Sequence, residues 1–175
     1  MRRQIILLAA LLWCGQVLAD MPITIKGTIL EPVCMVTSED GSSVADISFG
    51  EVGLDAVGSA AAEQSIYLKV ICDNPAPTGK ALKMYVHPTS NGKLTTVGAN
   101  VLGTSKNNLG IALTAGTDGM TPVDLDTWIP VMGVNTDVDE PVGQVRLKAR
   151  LVTSLVSSLH AGAFTAVANL VMSYQ

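Results

Sequence analysis

The strongest constraint in this sequence is a period-two alternation of apolar and polar residues in its last third. Between Gln144 and Val152, apolar residues alternate with Gln and with basic residues, and from Phe164 to Tyr174 every second residue is apolar or small. Because successive side chains of a strand point to opposite faces, each segment predicts a strand with one buried face. Helical periodicity is almost absent elsewhere. The sequence therefore predicts an all-β sandwich.

Short apolar and β-branched runs between Gly, Pro, Asn, Asp and Ser residues mark the predicted strands. These strands cover residues 21–35, 44–49, 65–72, 81–87, 109–114, 127–132, 143–153 and 162–174. Residues 55–63 are expected to form one helical turn. The basic row of Arg146, Lys148 and Arg150 could bind an anion, but a solvated outer face is the commoner reason for such a row.

The N-terminus has the pattern of a secretory signal peptide. Arg2 and Arg3 precede an apolar run from Ile5 to Trp13, and Val17-Leu18-Ala19 has the spacing that a signal peptidase reads. Residues 1–19 are therefore predicted to be removed. The run is shorter than the roughly 20 apolar residues of a membrane span, and charges, Gly or Pro interrupt every later candidate, so the mature chain is expected to have no membrane span.

The mature chain is predicted to be one acidic domain. Removing 19 of 175 residues leaves 156, which suits a single domain. Without Arg2 and Arg3, 9 of the 11 basic residues remain against 15 acidic ones, a net charge of −6. Such a surface repels nucleic acid, so nucleic acid is not an expected partner.

Cys34 and Cys72 are the cysteines that remain after cleavage. An even pair in an exported chain predicts a disulfide. A metal or redox pair is the alternative, but the spacing is not C-x-x-C and no nearby His or further Cys completes a ligand set.

Two apolar segments lack an obvious partner. The last strand, 162–174, is followed only by Gln175, although a sandwich of this kind needs one more strand beside it. At the start of the mature chain, Met21, Ile23, Ile25, Gly27 and Ile29 alternate with polar residues and Pro22. This segment either pairs within its own domain or is an arm for another molecule's groove, and the residue pattern leaves both open.

Several motifs together resemble the type 1 and P pilus subunits of the chaperone–usher pathway. Ile23 to Cys34, ITIKGTILEPVC, is similar to their donor-strand arm and first cysteine, and Ala161 to Gln175 is similar to their final strand. Between these lie ISFGEV, LKVIC, NLGIAL and RLKARLV in the family's order. The resemblance covers nearly the whole mature chain and fits a minor or adaptor subunit.

The resemblance implies an incomplete immunoglobulin-like β-sandwich that lacks its final strand and is completed by donor-strand complementation. Residues 20–30 would be the donor arm, and residues 31–175 the pilin domain. The implied donor residues are Met21, Ile23, Ile25, Gly27 and Ile29. The implied acceptor-groove and chaperone-recognition residues are Gly162, Phe164, Ala166, Ala168, Leu170, Met172, Tyr174 and Gln175. Neighbouring pilin subunits, a periplasmic chaperone and an outer-membrane usher are the implied partners, and a fimbrium at the cell surface is the implied location.

The residues do not suggest catalysis. His87 and His160 have no nucleophile motif beside them, so no enzymatic activity, catalytic residue or cofactor is expected. The acidic groups around Asp124 and Asp139 lack the spacing of a calcium loop, so no metal site is expected. Tyr85 and Trp128 could stack on a sugar. A tip module that binds a host receptor and a self-complete periplasmic carbohydrate-binding sandwich therefore remain as alternatives.

Overall fold

The computed structural model describes residues 34–116 and 118–175, and these form antiparallel strands with three 3-10 turns. The strands are β1 Cys34–Ser38, β2 Glu63–Cys72, β3 Leu82–Pro88, β4 Val101–Gly103, β5 Leu109–Ala115, β6 Thr121–Pro122, β7 Ile129–Pro130, β8 Val142–Thr153 and β9 Ala168–Tyr174. The 3-10 turns are Leu54–Ala56, Ala60–Ala62 and Val156–Ser158. None of the helical segments in the described ranges is long and apolar enough to cross a bilayer. The prediction of an all-β fold is confirmed.

The strands form two sheets that enclose a common apolar core. The larger sheet has the order β1-β2-β8-β5-β4, and β6 also pairs with β5. The smaller sheet has the order β7-β3-β9. Core residues come from both sheets, including Val70 and Leu151 from the larger and Met84 and Met172 from the smaller. The described part is therefore a sandwich of two sheets.

Strand β8 is the centre of the larger sheet and hydrogen-bonds to both β2 and β5. Its inward residues, Val145, Leu147, Ala149 and Leu151, are all buried. The alternation in the sequence thus predicted this strand correctly, because a face that lies on the core must be apolar.

Each basic side chain on the outer face of β8 contacts a neighbour on β2. Lys148 Nζ lies 2.9 Å from Glu63 Oε1, and Arg150 Nε donates to Glu63 Oε2 at 2.9 Å. The two cations lower the pKa of the Glu63 carboxyl, with Lys148 the larger cause. The Arg146 guanidinium lies over the Tyr67 ring, 5.4 Å from its centroid. These contacts favour a solvated outer face over an anion-binding strip.

The predicted disulfide joins the first residue of β1 to the last residue of β2. Cys34 and Cys72 lie directly opposite each other in the β1–β2 ladder, and both are buried. The bridge therefore fastens β1 to the edge of the larger sheet, and the prediction is confirmed.

Some strands and strand boundaries were predicted wrongly. Residues 44–49 contain no strand. The backbone amides of Val44 and Gly50 bond instead to the hydroxyls of Ser42 and Ser48, as serines in turns often arrange. The strand expected at 127–132 is reduced to β7, and the short strands β4 and β6 were not predicted. A strand exists only where a neighbour completes its hydrogen bonds, which a local pattern does not report.

Candidate functional site

The candidate site is the outer edge of β9, the last strand of the smaller sheet. Ala81 and Gln175 exchange both of their backbone hydrogen bonds, at 3.1 and 3.0 Å. Because bonded and non-bonded pairs alternate in an antiparallel ladder, Val171 and Ser173 also bond to β3, whereas Leu170 and Met172 direct their N–H and C=O groups away from it. In the described part of the chain, β9 hydrogen-bonds to β3 alone. Among the described residues, its other side is therefore an open edge.

The predicted acceptor residues other than Gln175 recur at every second position along one face of the chain leading into and along β9. Burial along this face is graded. Phe164, Ala166, Ala168 and Leu170 are only half-buried, whereas Met172 and Tyr174 are buried. The core faces of β2, β5 and β8 include buried residues along most of their length. The apolar core is therefore incompletely covered beside residues 164–170.

The strand predicted at 162–174 begins six residues late, at Ala168. Its partner β3 ends at Pro88, so the residues before Ala168 bond to other segments. Thr89 N donates to Val167 O at 3.0 Å, and Ser105 N donates to Thr165 O at 2.8 Å. The segment before β9 is thus held on one side without belonging to a regular ladder.

The opposite wall of the site is the irregular segment 47–57. Phe49, Val52 and Val57 pack partly against the core, while Ile47 and Leu54 remain exposed by 38% and 41%. These wall residues were missing from the predicted site. The signal for them was present in the ISFGEV motif, which was interpreted as a strand rather than as the wall of a groove.

A cavity of about 880 Å³ lies between the two walls. Its lining is largely apolar and includes Phe49, Val52, Val57, Leu109, Leu159 and Phe164. Gly162 also lines it, with a φ of +131° that favours glycine. The remaining predicted acceptor residues, from Ala166 onward, do not line this cavity. The cavity therefore lies beside the segment around Phe164 that leads into β9.

At the C-terminal end of β9, the side chain on the core face is buried and hydrogen-bonded. Tyr174 is buried, and its hydroxyl donates to the Asn74 carbonyl at 3.0 Å. Burial raises the pKa of the Tyr174 hydroxyl. Gln175 is exposed. A partner approaching this end would therefore meet Gln175 and the strand backbone rather than the Tyr174 ring.

The predicted donor residues, Met21, Ile23, Ile25, Gly27 and Ile29, lie outside the described residues. The same is true of the predicted signal peptide, 1–19, and of the arm, 20–30. Their roles remain predictions.

The structure brings Tyr85 and Trp128 together on the smaller sheet, with ring centroids 5.2 Å apart. The polar groups beside them bond to one another: Asp126 contacts His87 Nδ1 through Oδ1 and Lys93 Nζ through Oδ2. Lys93, then His87, lowers the pKa of the Asp126 carboxyl. Because this network is internally satisfied, its polar groups offer little to a sugar. Within the described ranges, no three acidic, His or Cys side chains are grouped to hold a metal ion.

Comparison with known proteins identifies the kind of sandwich. The model of a family described as fimbrial protein matches residues 23–175. The P pilus rod subunit PapA is similar in structure, with a TM-score of 0.58, 18% sequence identity and coverage of 88% of this chain and 100% of that one. A chain from a chaperone–usher pilus is similar with a TM-score of 0.56 and 19% sequence identity, covering 90% of this chain and 97% of that one. The P pilus adaptor subunit PapF is similar with a TM-score of 0.50 and 21% sequence identity, covering 85% of this chain and 100% of that one. These similarities show the predicted immunoglobulin-like pilin fold. No curated protein matches the chain.

Proposed function

This chain belongs to the fimbrial protein family, and we propose that it is a structural subunit of an adhesive pilus that polymerises by donor-strand exchange. Residues 20–30 of one copy occupy the groove beside β9 of the next copy. A periplasmic chaperone holds the groove before assembly and delivers the subunit to an outer-membrane usher. The protein thereby reaches a fimbrium at the cell surface and performs no catalysis.

The observation that carries this proposal is the open edge of β9. The backbone groups of Leu170 and Met172 point away from β3, and in the described part of the chain no strand pairs with that side. An added strand would form a regular ladder there, which is how extended peptides bind sheet edges. The chaperone and the neighbouring arm would use this same edge in turn.

The groove also offers an apolar surface to the incoming side chains. Phe164 and Leu170 are half-buried, and the cavity of about 880 Å³ continues this apolar surface toward segment 47–57. The arm supplies Met21, Ile23, Ile25 and Ile29 at period two. Full burial of four such side chains would stabilise the complex by about 6 to 12 kcal/mol before ordering costs.

Gly27 and the end of β9 have proposed roles of their own. In the arm, Gly27 falls where the groove leaves no room for a side chain. In the acceptor, Gly162 and Gln175 are exposed, one before β9 and one after it, and both contribute to chaperone recognition, whereas the buried Tyr174 ring holds β9 in place from within.

Deletion of residues 20–30 tests the proposal, because it removes the donor and leaves the groove. We expect the truncated chain to bind the chaperone and to accept the arm of a wild-type copy, but not to donate to another copy. Mixed with wild-type subunits, it should therefore end fibres and shorten them, as measured by electron microscopy. Fibres of normal length from the truncated chain alone would contradict the proposal.

A matched pair within the arm separates side-chain insertion from general damage. Ile25→Asn changes the apolar face and should slow exchange strongly, whereas Thr24→Asn changes the opposite face and should exchange at nearly the wild-type rate. Equal rates for the two variants would contradict insertion of the apolar face.

A further inference from the structure

An exposed apolar row crosses three strands at the disulfide end of the larger sheet. Met35, Ile71 and Val142 are neighbours in the ladders of β1, β2 and β8, and they are exposed by 63%, 36% and 54%. Cys34 and Cys72, beside them, are buried, so the row lies on the outer face. Single exposed apolar side chains are common, but a contiguous row indicates a contact surface.

The apolar row ends abruptly against polar residues. The next outward-facing residues along the three strands are Thr37, Lys69 and Gln144. Beyond them lie Lys148 and Arg150, which pair with Glu63. The row itself carries no charge. Since the predicted mature chain has a net charge of −6, from 9 basic and 15 acidic residues, two copies repel each other, and an uncharged apolar surface suits their contact.

The position of the row places it close to the neighbour that holds the arm. Met35 follows Leu30, the last arm residue, by five positions. An extended chain spans at most about 3.6 Å per residue, so the acceptor copy must lie within about 18 Å of Met35. Such a short tether gives effective concentrations of the order of mM, at which a small apolar contact can form.

We propose that Met35, Ile71 and Val142 form a contact surface for the neighbouring copy of this chain that holds residues 20–30. The inference rests on the proposed donor-strand exchange and adds a second contact between the same two copies. Because two separate contacts restrict rotation about the linking residues 31–33, the apolar row would set the angle between successive subunits.

Oxidation of methionine in assembled fibres tests the contact. Met35 and Met120 are exposed by 63% and 77%, so hydrogen peroxide should oxidise both readily in an unassembled subunit. In wild-type fibres, where nearly every copy donates an arm, we expect Met35 to be oxidised several-fold more slowly than Met120. Mass spectrometry of the digested fibres gives both rates. Equal rates would overturn the contact.

Two matched variants locate the effect. Val142→Lys places a charge in the apolar row, and Val156→Lys places one at a valine of similar exposure, 54% against 49%, in the 3-10 turn beyond the other end of β8. We expect fast oxidation of Met35 in Val142→Lys fibres and wild-type protection in Val156→Lys fibres. Protection of Met35 in both variants would contradict the role of the row. If Val142→Lys fails to fold, the oxidation rates of Met35 and Met120 in wild-type fibres test the contact on their own. Absence of fibres from the wild-type chain with its chaperone and usher would instead refute donor-strand exchange, and the contact with it.

Discussion

Phe49 and Phe164, the two phenylalanines of the chain, meet across the candidate groove with ring centroids 6.0 Å apart and planes tilted by 50°. Phe49 belongs to the irregular wall 47–57, and Phe164 to the segment that leads into β9. Both rings are only half-buried, and both line the cavity. The walls of the groove thus touch at this point, while the core face beside residues 166–170 stays open.

This contact predicts coupling between the two rings. Phe49→Ala and Phe164→Ala should each lower the free energy of unfolding by less than the roughly 3 to 5 kcal/mol of a fully buried Phe→Ala change. The double variant should lose about 0.5 to 1.5 kcal/mol less than the sum of the single losses, because the ring contact can be lost only once. Urea denaturation of the four proteins measures this coupling. Strictly additive losses would show that the rings do not stabilise each other.

Removal of the disulfide should lower the free energy of unfolding by several kcal/mol. The bridge between Cys34 and Cys72 has a sequence separation of 38 residues. On the chain-entropy model, closing such a loop stabilises the fold by about 3 to 4 kcal/mol. The Cys34→Ala, Cys72→Ala double variant should lose that amount in urea denaturation at neutral pH. A loss below about 1 kcal/mol would mean that the bridge constrains the unfolded chain very little.

Three strands of the larger sheet, β2, β5 and β8, could be predicted from the sequence because they carry complete local signals. Strand β8 alternates over its length, and β2 and β5 lie within two residues of their predicted bounds. Each has partners that match its pattern. The groove was less accessible, because segment 47–57 has the apolar residues of a strand but no ladder in the described part of the chain. Because segment 47–57 borders the groove without pairing to a described strand, its sequence carries no local signal that distinguishes it from a strand.

Two substitutions at Tyr174 should separate its effect on stability from any effect on chaperone binding. Tyr174→Ala removes a buried ring and should cost about 3 to 5 kcal/mol of stability, with low periplasmic yield as the result. Tyr174→Phe removes only the hydrogen bond to the Asn74 carbonyl and should cost about 1 kcal/mol. We expect Tyr174→Phe to bind the chaperone with wild-type affinity. A large loss of affinity in that variant, at near-normal stability, would show that the hydroxyl itself is recognised.

The ion pairs of Glu63 should make the stability of the fold depend on pH in the acidic range. Lys148, then Arg150, lowers the pKa of its carboxyl in the folded state, so its contribution is present above the unfolded-state pKa and is lost as the pH falls through the lower folded value. Tm should therefore fall less between pH 7 and pH 3 in Glu63→Gln than in the wild type. The control is Glu51→Gln, at an exposed acid outside the ion pairs of the described residues, and it should keep the wild-type slope.

Sequence reasoning also found Tyr174 but not its environment. Period two placed it on the same face as Phe164, and the structure agrees. Its hydroxyl donates to the carbonyl of Asn74, which is 100 residues away in sequence. The half-buried residues of 164–170 and the buried Met172 and Tyr174 thus share one alternating pattern. Only the packing of distant segments makes their burial differ.

Hydrogen exchange along β9 tests donor-strand complementation most directly. The amides of Leu170 and Met172 face the open edge, whereas that of Val171 faces β3. We predict that a peptide of residues 20–30, added to a chain that lacks them, slows exchange at Leu170 and Met172 and leaves Val171 nearly unchanged. Slow exchange at Leu170 and Met172 before the peptide is added, or unchanged exchange with the peptide bound, would contradict the account.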